Sequence, residues 1–226
     1  MKKNALKQIG MGSRKAGGVF LLAFSFSMAT HAAPIDFESE TPGSKPNGYS
    51  VPGHPWVVFS DTVGSDLVVG YFGSQGLGLL SLAVYSDWDG SKLRIDFLQP
   101  AESITLWYGN DDPWWASATD LAWLEVWNGA TLLATLSQSM DLDDVMSQSI
   151  SYSGSCFTTV FFWYGDSTGN PYTTNNTTGL SGLIEIVDNI EYTLCRPHTV
   201  PDGGATLGLL GFACAVVVAG RRLRLA

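Results

Sequence analysis

The sequence predicts an all-β domain, an antiparallel two-sheet sandwich of jelly-roll type with a barrel as the alternative, and three observations predict it. Between Ile35 and Leu194 the chain is a succession of short apolar runs separated by Gly, Pro, Asn and Asp, without an amphipathic helical repeat. LRIDF alternates strictly, Leu93, Ile95 and Phe97 facing one way and Arg94 and Asp96 the other. LAWLEVW and ATLLATL flank Asn128-Gly129, a pair that accepts positive φ and so folds the two runs back as a hairpin. About ten strands at such spacing suit two packed antiparallel sheets.

The remaining elements follow the same signals. WVVFS, DLVVGYF, GLLSLAVY, ESITLWY, CFTTVFFWYG and GLIEIVDNIEYTL read as strands, and Thr41–Pro55 and Asp166–Gly179, rich in Pro, Gly, Asn and Thr, read as loops. DLDDVMSQ is either a helical turn capped by Asp141 or an acidic loop.

The two ends have a different character from this body. Lys2, Lys3, Lys7, Arg14 and Lys15 precede the apolar run GGVFLLAFSFSMA and the small-residue segment THAAP. That is the pattern of a secretory leader, residues 1–32, cleaved after Ala32, the alternative being an uncleaved anchor. The body, residues 33–196, then carries 20 acidic against 4 basic residues, within a chain of formal net charge −9. So acidic a surface excludes nucleic acid and anionic lipid as partners of the body, because phosphate binding needs basic side chains.

Residues 197–226 form a linker and a tail. Val200-Pro201-Asp202-Gly203-Gly204 interrupts any regular element, an uncharged run from Ala205 to Gly220 follows, and Arg221, Arg222 and Arg224 close the chain. A helix over 205–220 is about 24 Å long at 1.5 Å per residue, short of the roughly 30 Å hydrocarbon core. Leu223 and Leu225, with snorkelling arginines, extend it to a span. The arginines belong on the cytoplasmic side, which leaves the body outside.

This three-part tail resembles the PEP-CTERM class of bacterial sorting signals, and VPDGG in particular its VPDSG-CTERM variant, with Gly203 standing where that variant has Ser. The resemblance covers Val200–Ala226 and implies an exosortase-type membrane processing enzyme as partner. It also implies an exported protein of the cell surface or extracellular matrix. Val200 to Gly204 and the three arginines would be the sorting determinants.

Three cysteines are present, and Cys214 lies in the apolar tail. In an oxidising compartment Cys156 and Cys195 would form one disulfide between a middle strand and the last, the alternative being two buried thiols. IDFES at the start of the body and IVDNIEY near its end resemble the paired first and last strands of carbohydrate-binding sandwiches. Asp36, Glu38 and Asp188 would then offer hard oxygen ligands to one structural Ca²⁺. Asp87 and Asp89 in SDWDGS are a second acidic loop without the full EF-hand pattern.

Aromatic residues gather beside acids in LWYGNDDPWW and FFWYGD. Trp114 and Trp115 follow Pro113 in a loop next to Asp111 and Asp112, an arrangement suited to stacking on a sugar ring and bonding its hydroxyls. Catalysis has little support. His54 and His198 are the only histidines beyond the leader, and neither accompanies a nucleophile motif such as GxSxG. The reading is therefore a binding or structural body, with a secreted polysaccharide-active enzyme using paired carboxylates as the alternative.

Overall fold

A computed structural model describes residues 33–85, 89–109, 111–114, 116–171 and 183–196. The leader and the tail, with its sorting motif, apolar run and arginines, lie outside these residues. Nine strands form one antiparallel sheet: β1 (Gly43–Lys45), β2 (Val57–Asp61), β3 (Leu67–Gly70), β4 (Ser81–Val84), β5 (Leu93–Gly109), β6 (Leu121–Asn128), β7 (Thr131–Ser139), β8 (Gln148–Gly165) and β9 (Glu185–Leu194). Their order is β1-β3-β4-β9-β5-β8-β6-β7, with β2 joined to β5. Among the described residues the only helical segment is a 3₁₀ turn at Gly73–Gln75, and none is long and apolar enough to cross a membrane.

The sandwich is made by bending this sheet rather than by stacking two separate ones. LRIDF and ESITLWY are halves of the same strand. The first half of β5 pairs with β2, and after a register break between Asp96 and Ala101 the second half pairs with β9. Pro100 sits at the break, where a residue without an N–H is tolerated, and its carbonyl accepts from the Cys195 amide at 2.7 Å. β8 follows β5 through the same bend, Ile150–Ser153 pairing before it and Thr159–Phe162 beyond it. One layer is thus β1-β3-β4-β9 with the second half of β5 and the first half of β8. The other is β2, the first half of β5, the second half of β8, β6 and β7.

Rings from the two layers meet edge-on or tilted between them. Phe59 of β2 packs on Phe37, Phe97 on Tyr192 of β9, and Tyr108 on Phe162, with centroids 5.5 to 5.7 Å apart. Each of these rings is buried, contributing roughly 1.5–3 kcal/mol by burial. The chain closes on itself where Ile35 and Ile190 exchange both backbone hydrogen bonds at 3.0 Å. The β6–β7 hairpin forms where expected but turns one residue later, over Gly129-Ala130: Asn128 is the last residue of β6, paired with Thr131, and Gly129 alone of the expected pair has positive φ, at 57°. DLDDVMSQ is a loop, since Leu142 (φ 61°) and Asp144 (φ 58°) are left-handed and no helical turn accommodates them.

Gly109 ends β5 against the Gly73–Gln75 turn. A Cβ there would overlap the Gln75 carbonyl oxygen and meet its carbonyl carbon at 2.8 Å, backbone against backbone with no rotamer to relieve it. The Gly109 carbonyl also receives the buried Tyr164 hydroxyl. Gly109→Ala is expected to cost about 2–3 kcal/mol, read as a lower urea midpoint at unchanged m-value; an unchanged midpoint would show that the turn yields.

Candidate functional site

The loops after β5 and after β7 bring acids together at one end of the fold. Asp111 follows β5 and is 2 % exposed. Its carboxylate accepts the Asp143 amide at 3.3 Å and the Asp144 amide at 3.0 Å, so it fastens the second loop to the first. Asp141 and Asp143 are exposed, and ligand oxygens of Asp111, Asp141 and Asp143 all lie within 4.8 Å of one another. Asp141 also accepts the Ser147 hydroxyl at 2.8 Å, and Asp143 the Val145 amide at 2.9 Å. Asp144 turns aside to the Gln75 side chain.

Burial, with the neighbouring Asp141 next, pushes the Asp111 carboxyl up to about 6, while its hydrogen bond to Asp111 holds Asp141 below the usual carboxylate range. Three carboxylate oxygens at this separation are of the kind that a hard cation such as Ca²⁺ takes as ligands.

The acids and rings expected from sequence distribute differently around this cluster. Asp112 makes a local turn, its side chain accepting the Trp114 amide at 2.8 Å and its carbonyl the Ala116 amide at 2.7 Å. That turn throws Trp114 outward, where it is 80 % exposed. Trp115 lies outside the described residues. Trp163 and Tyr164 are buried, and Tyr108 packs between layers.

Of the three residues read as calcium ligands, Glu38 and Asp188 come to the same segment while Asp36 stays outside. Glu38 Oε1 accepts the Leu79 and Leu80 amides at 2.6 and 3.2 Å. Asp188 is fully buried, accepting the Ser81 hydroxyl and the Asn189 amide at 2.7 Å each; burial raises it to about 7, with a small contribution from Glu38. Asp36 is exposed, and its nearest partner is the Glu38 amide at 3.2 Å. Of SDWDGS, Asp87 is outside the described residues and Asp89 caps the Ser91 amide at 2.8 Å. His54 Nδ1 and the Tyr192 hydroxyl share a hydrogen bond at 3.2 Å with the two rings edge to face, and burial lowers the His54 pKa.

A second acid pair had no sequence signal. Asp61, at the end of β2 and 5 % exposed, faces Asp66 at the start of β3, and Asp61 Oδ2 and Asp66 Oδ1 are both buried without a hydrogen-bond donor. Burial first, then Asp66, pushes the Asp61 carboxyl up to about 7. Their spacing of five residues is uninformative until β2 and β3 are placed in different layers with Gly64 at φ 88° between them.

Cys156 and Cys195 are joined by a disulfide, their Cα atoms 6.0 Å apart. It crosses from β8 to the residue after β9 at the bend of the sheet.

No family model matches the sequence, and no curated protein matches it. Among solved structures the chain is similar to the K2 cleaved adhesin domain of Lys-gingipain, at a TM-score of 0.42 and 14 % identity, over 71 % of this chain and 98 % of that one.

Proposed function

We propose that this is an exported bacterial protein of the cell surface or extracellular matrix, whose β body binds or builds and whose tail is anchored and then processed by an exosortase-type enzyme. The observation that carries export is the Cys156–Cys195 bond. Such bonds persist in oxidising compartments and are rare in reducing ones. The strongly acidic body fits the same reading, since it suits neither nucleic acid nor an anionic membrane surface. In the sequence of the tail, a proline at 201 restricts its own φ and disfavours a helical residue before it, so a recognition turn there would cost little ordering.

Fractionation of the native host with intact-mass analysis tests this. The mature chain is expected to begin near Ala33. Replacing Pro201 and Asp202 by Ala should leave membrane insertion intact and block release, whereas neutralising Arg221, Arg222 and Arg224 should scramble topology. A retained leader overturns export, and a Pro201/Asp202 variant trimmed like the parent overturns sorting.

A further inference from the structure

The layer of β2, β5, β8, β6 and β7 turns one face to the core and the other outward. On the outward face the register sets Arg94 opposite Phe161 and Phe161 opposite Glu125 in one row, with Asp96 opposite Thr159 and Thr159 opposite Trp127 in the next. These side chains are held rather than loose. The Arg94 guanidinium grips Asp96 at 2.8 and 3.0 Å and lies 5.8 Å from the Phe161 ring centre. Thr159 Oγ1 donates to Asp96 at 2.8 Å, and the Trp127 indole N–H donates to Glu125 at 3.3 Å. Phe161, Glu125, Thr159 and Trp127 are half-buried, and the Arg94 side chain is 46 % exposed.

A wall bounds this platform. Trp163 stacks on Trp123 with planes 12° apart, Lys92 Nζ sits 3.5 Å over the Trp163 ring, and both indoles donate to carbonyls of the 166–170 turn at 3.1 and 3.2 Å. The platform's side chains stand on three adjacent strands, β5, β8 and β6, about 10 Å across at roughly 4.8 Å per strand.

We propose that this face binds an uncharged polysaccharide. A sugar ring presents apolar C–H groups on its faces and hydroxyls around its rim. Partly exposed rings of Trp127 and Phe161 cover the first, and the planar groups of Glu125, Asp96 and Arg94 pair with hydroxyls through the lone pairs and N–H groups left over from their mutual bonds. Because those groups are already oriented by one another, little rotamer freedom is lost on binding. Charge selects the occupant. Lys92 and Arg94 balance Asp96 and Glu125, so this face is neutral on a body of 20 acids against 4 bases. A polyanion meets repulsion from that body, and a basic partner gains more elsewhere on it. A protein partner would be expected to use a contiguous apolar centre, which the interleaved charges break up.

This inference names the ligand of the binding body proposed above and rests on that role, but its test uses purified protein and is independent of localisation. The full chain, purified in detergent, would be run by affinity electrophoresis through dextran, galactomannan, hydroxyethylcellulose and alginate. Retardation by at least one of the three neutral polymers and none by alginate is expected. Trp127→Ala and Glu125→Gln should each weaken binding at least tenfold with near-ultraviolet circular dichroism unchanged, and Trp114→Ala should leave it intact. If Trp127→Ala misfolds, Phe161→Leu replaces it with the same tenfold expectation. No retardation by any neutral polymer overturns the proposal, as does binding that survives the platform substitutions or is lost with Trp114→Ala. A dimer in size-exclusion chromatography that Trp127→Ala dissolves assigns the face to a second copy and overturns it equally. None of these failures touches the export reading, which the fractionation decides.

Discussion

Replacing Cys156 and Cys195 together by Ser is expected to lower stability by about 4 kcal/mol. The bond closes a loop of 39 residues in sequence separation, and the chain-entropy relation gives about that value for a loop of this length. Its position adds a structural reason. The first residue belongs to β8 where it passes between layers, and the second follows β9 beside the Pro100 carbonyl at which β5 makes the same passage. Without the bond the bend keeps the Cys195 amide, the pairing of Ala101 with Phe157 and Leu194, and the packing of Phe97 on Phe157 and Tyr192. For a domain of this size the loss corresponds to a fall of roughly 8–16 °C in Tm. Calorimetry of the variant and of the reduced parent should agree. A fall under 2 °C in both would mean that the unfolded chain is already compact at this point and that the bend stands on packing alone.

How far the fold was legible follows from where side chains decide and where the backbone does. Leu93, Ile95 and Phe97 alternate because one face is core, and Asn128-Gly129 marks a turn by its own conformational preference; both signals are local, and both segments are strands. QSISYSGS, the first half of β8, carries almost no apolar pattern, yet β5 pairs with it residue by residue from Tyr108–Gln148 to Ser103–Ser153. Its strand conformation comes from hydrogen bonding to a neighbour, which no local pattern reports. LRIDF and ESITLWY read as two strands, and they are one, bent at Pro100. Likewise β1 is a three-residue strand inside a segment read as loop, made by pairing with β3. The candidate sites show the same division. Pro113 announced an exposed Trp114, whereas Asp111 meets Asp141 and Asp143 only through the packing of two loops some thirty residues apart. The outward platform was half legible: the period of β6 puts Trp123, Glu125 and Trp127 on one face, but their register against Phe161 and Arg94 is a property of the sheet.

Stability is expected to fall as pH rises from 5 to 8, the reverse of ordinary acid denaturation. Three buried acids determine this. Asp61 and Asp188 are pushed up to about 7 and Glu185 well above its ordinary value, burial being the first cause in each. In the unfolded chain the same groups titrate near 4. Between about pH 4 and 7 the folded protein therefore holds protons that the unfolded one has released, and by linkage stability is fully present below the unfolded value and is lost as pH rises through the folded one. Asp111, raised to about 6, adds in the same direction, while Asp141 and Asp166 are lowered and lie below the window. His54, lowered by burial, opposes weakly near pH 6. Asp188 is fully buried and Asp61 5 % exposed, so the loss from each approaches but does not exceed about 2–3 kcal/mol. Together they give at most roughly 8–24 °C in Tm for a domain of this size. The measurement is a series of melts in EDTA, so that no cation replaces the protons. Asp61→Asn keeps the shape of the protonated carboxyl and donates to Asp66 Oδ1, which has no donor now. It should raise Tm at pH 8, leave it unchanged at pH 5, and remove about a third of the slope. A Tm that is flat or rises from pH 5 to 8 in the parent, or an Asn variant no better at pH 8, would show that Asp61 and Asp66 are hydrated rather than sharing a buried proton.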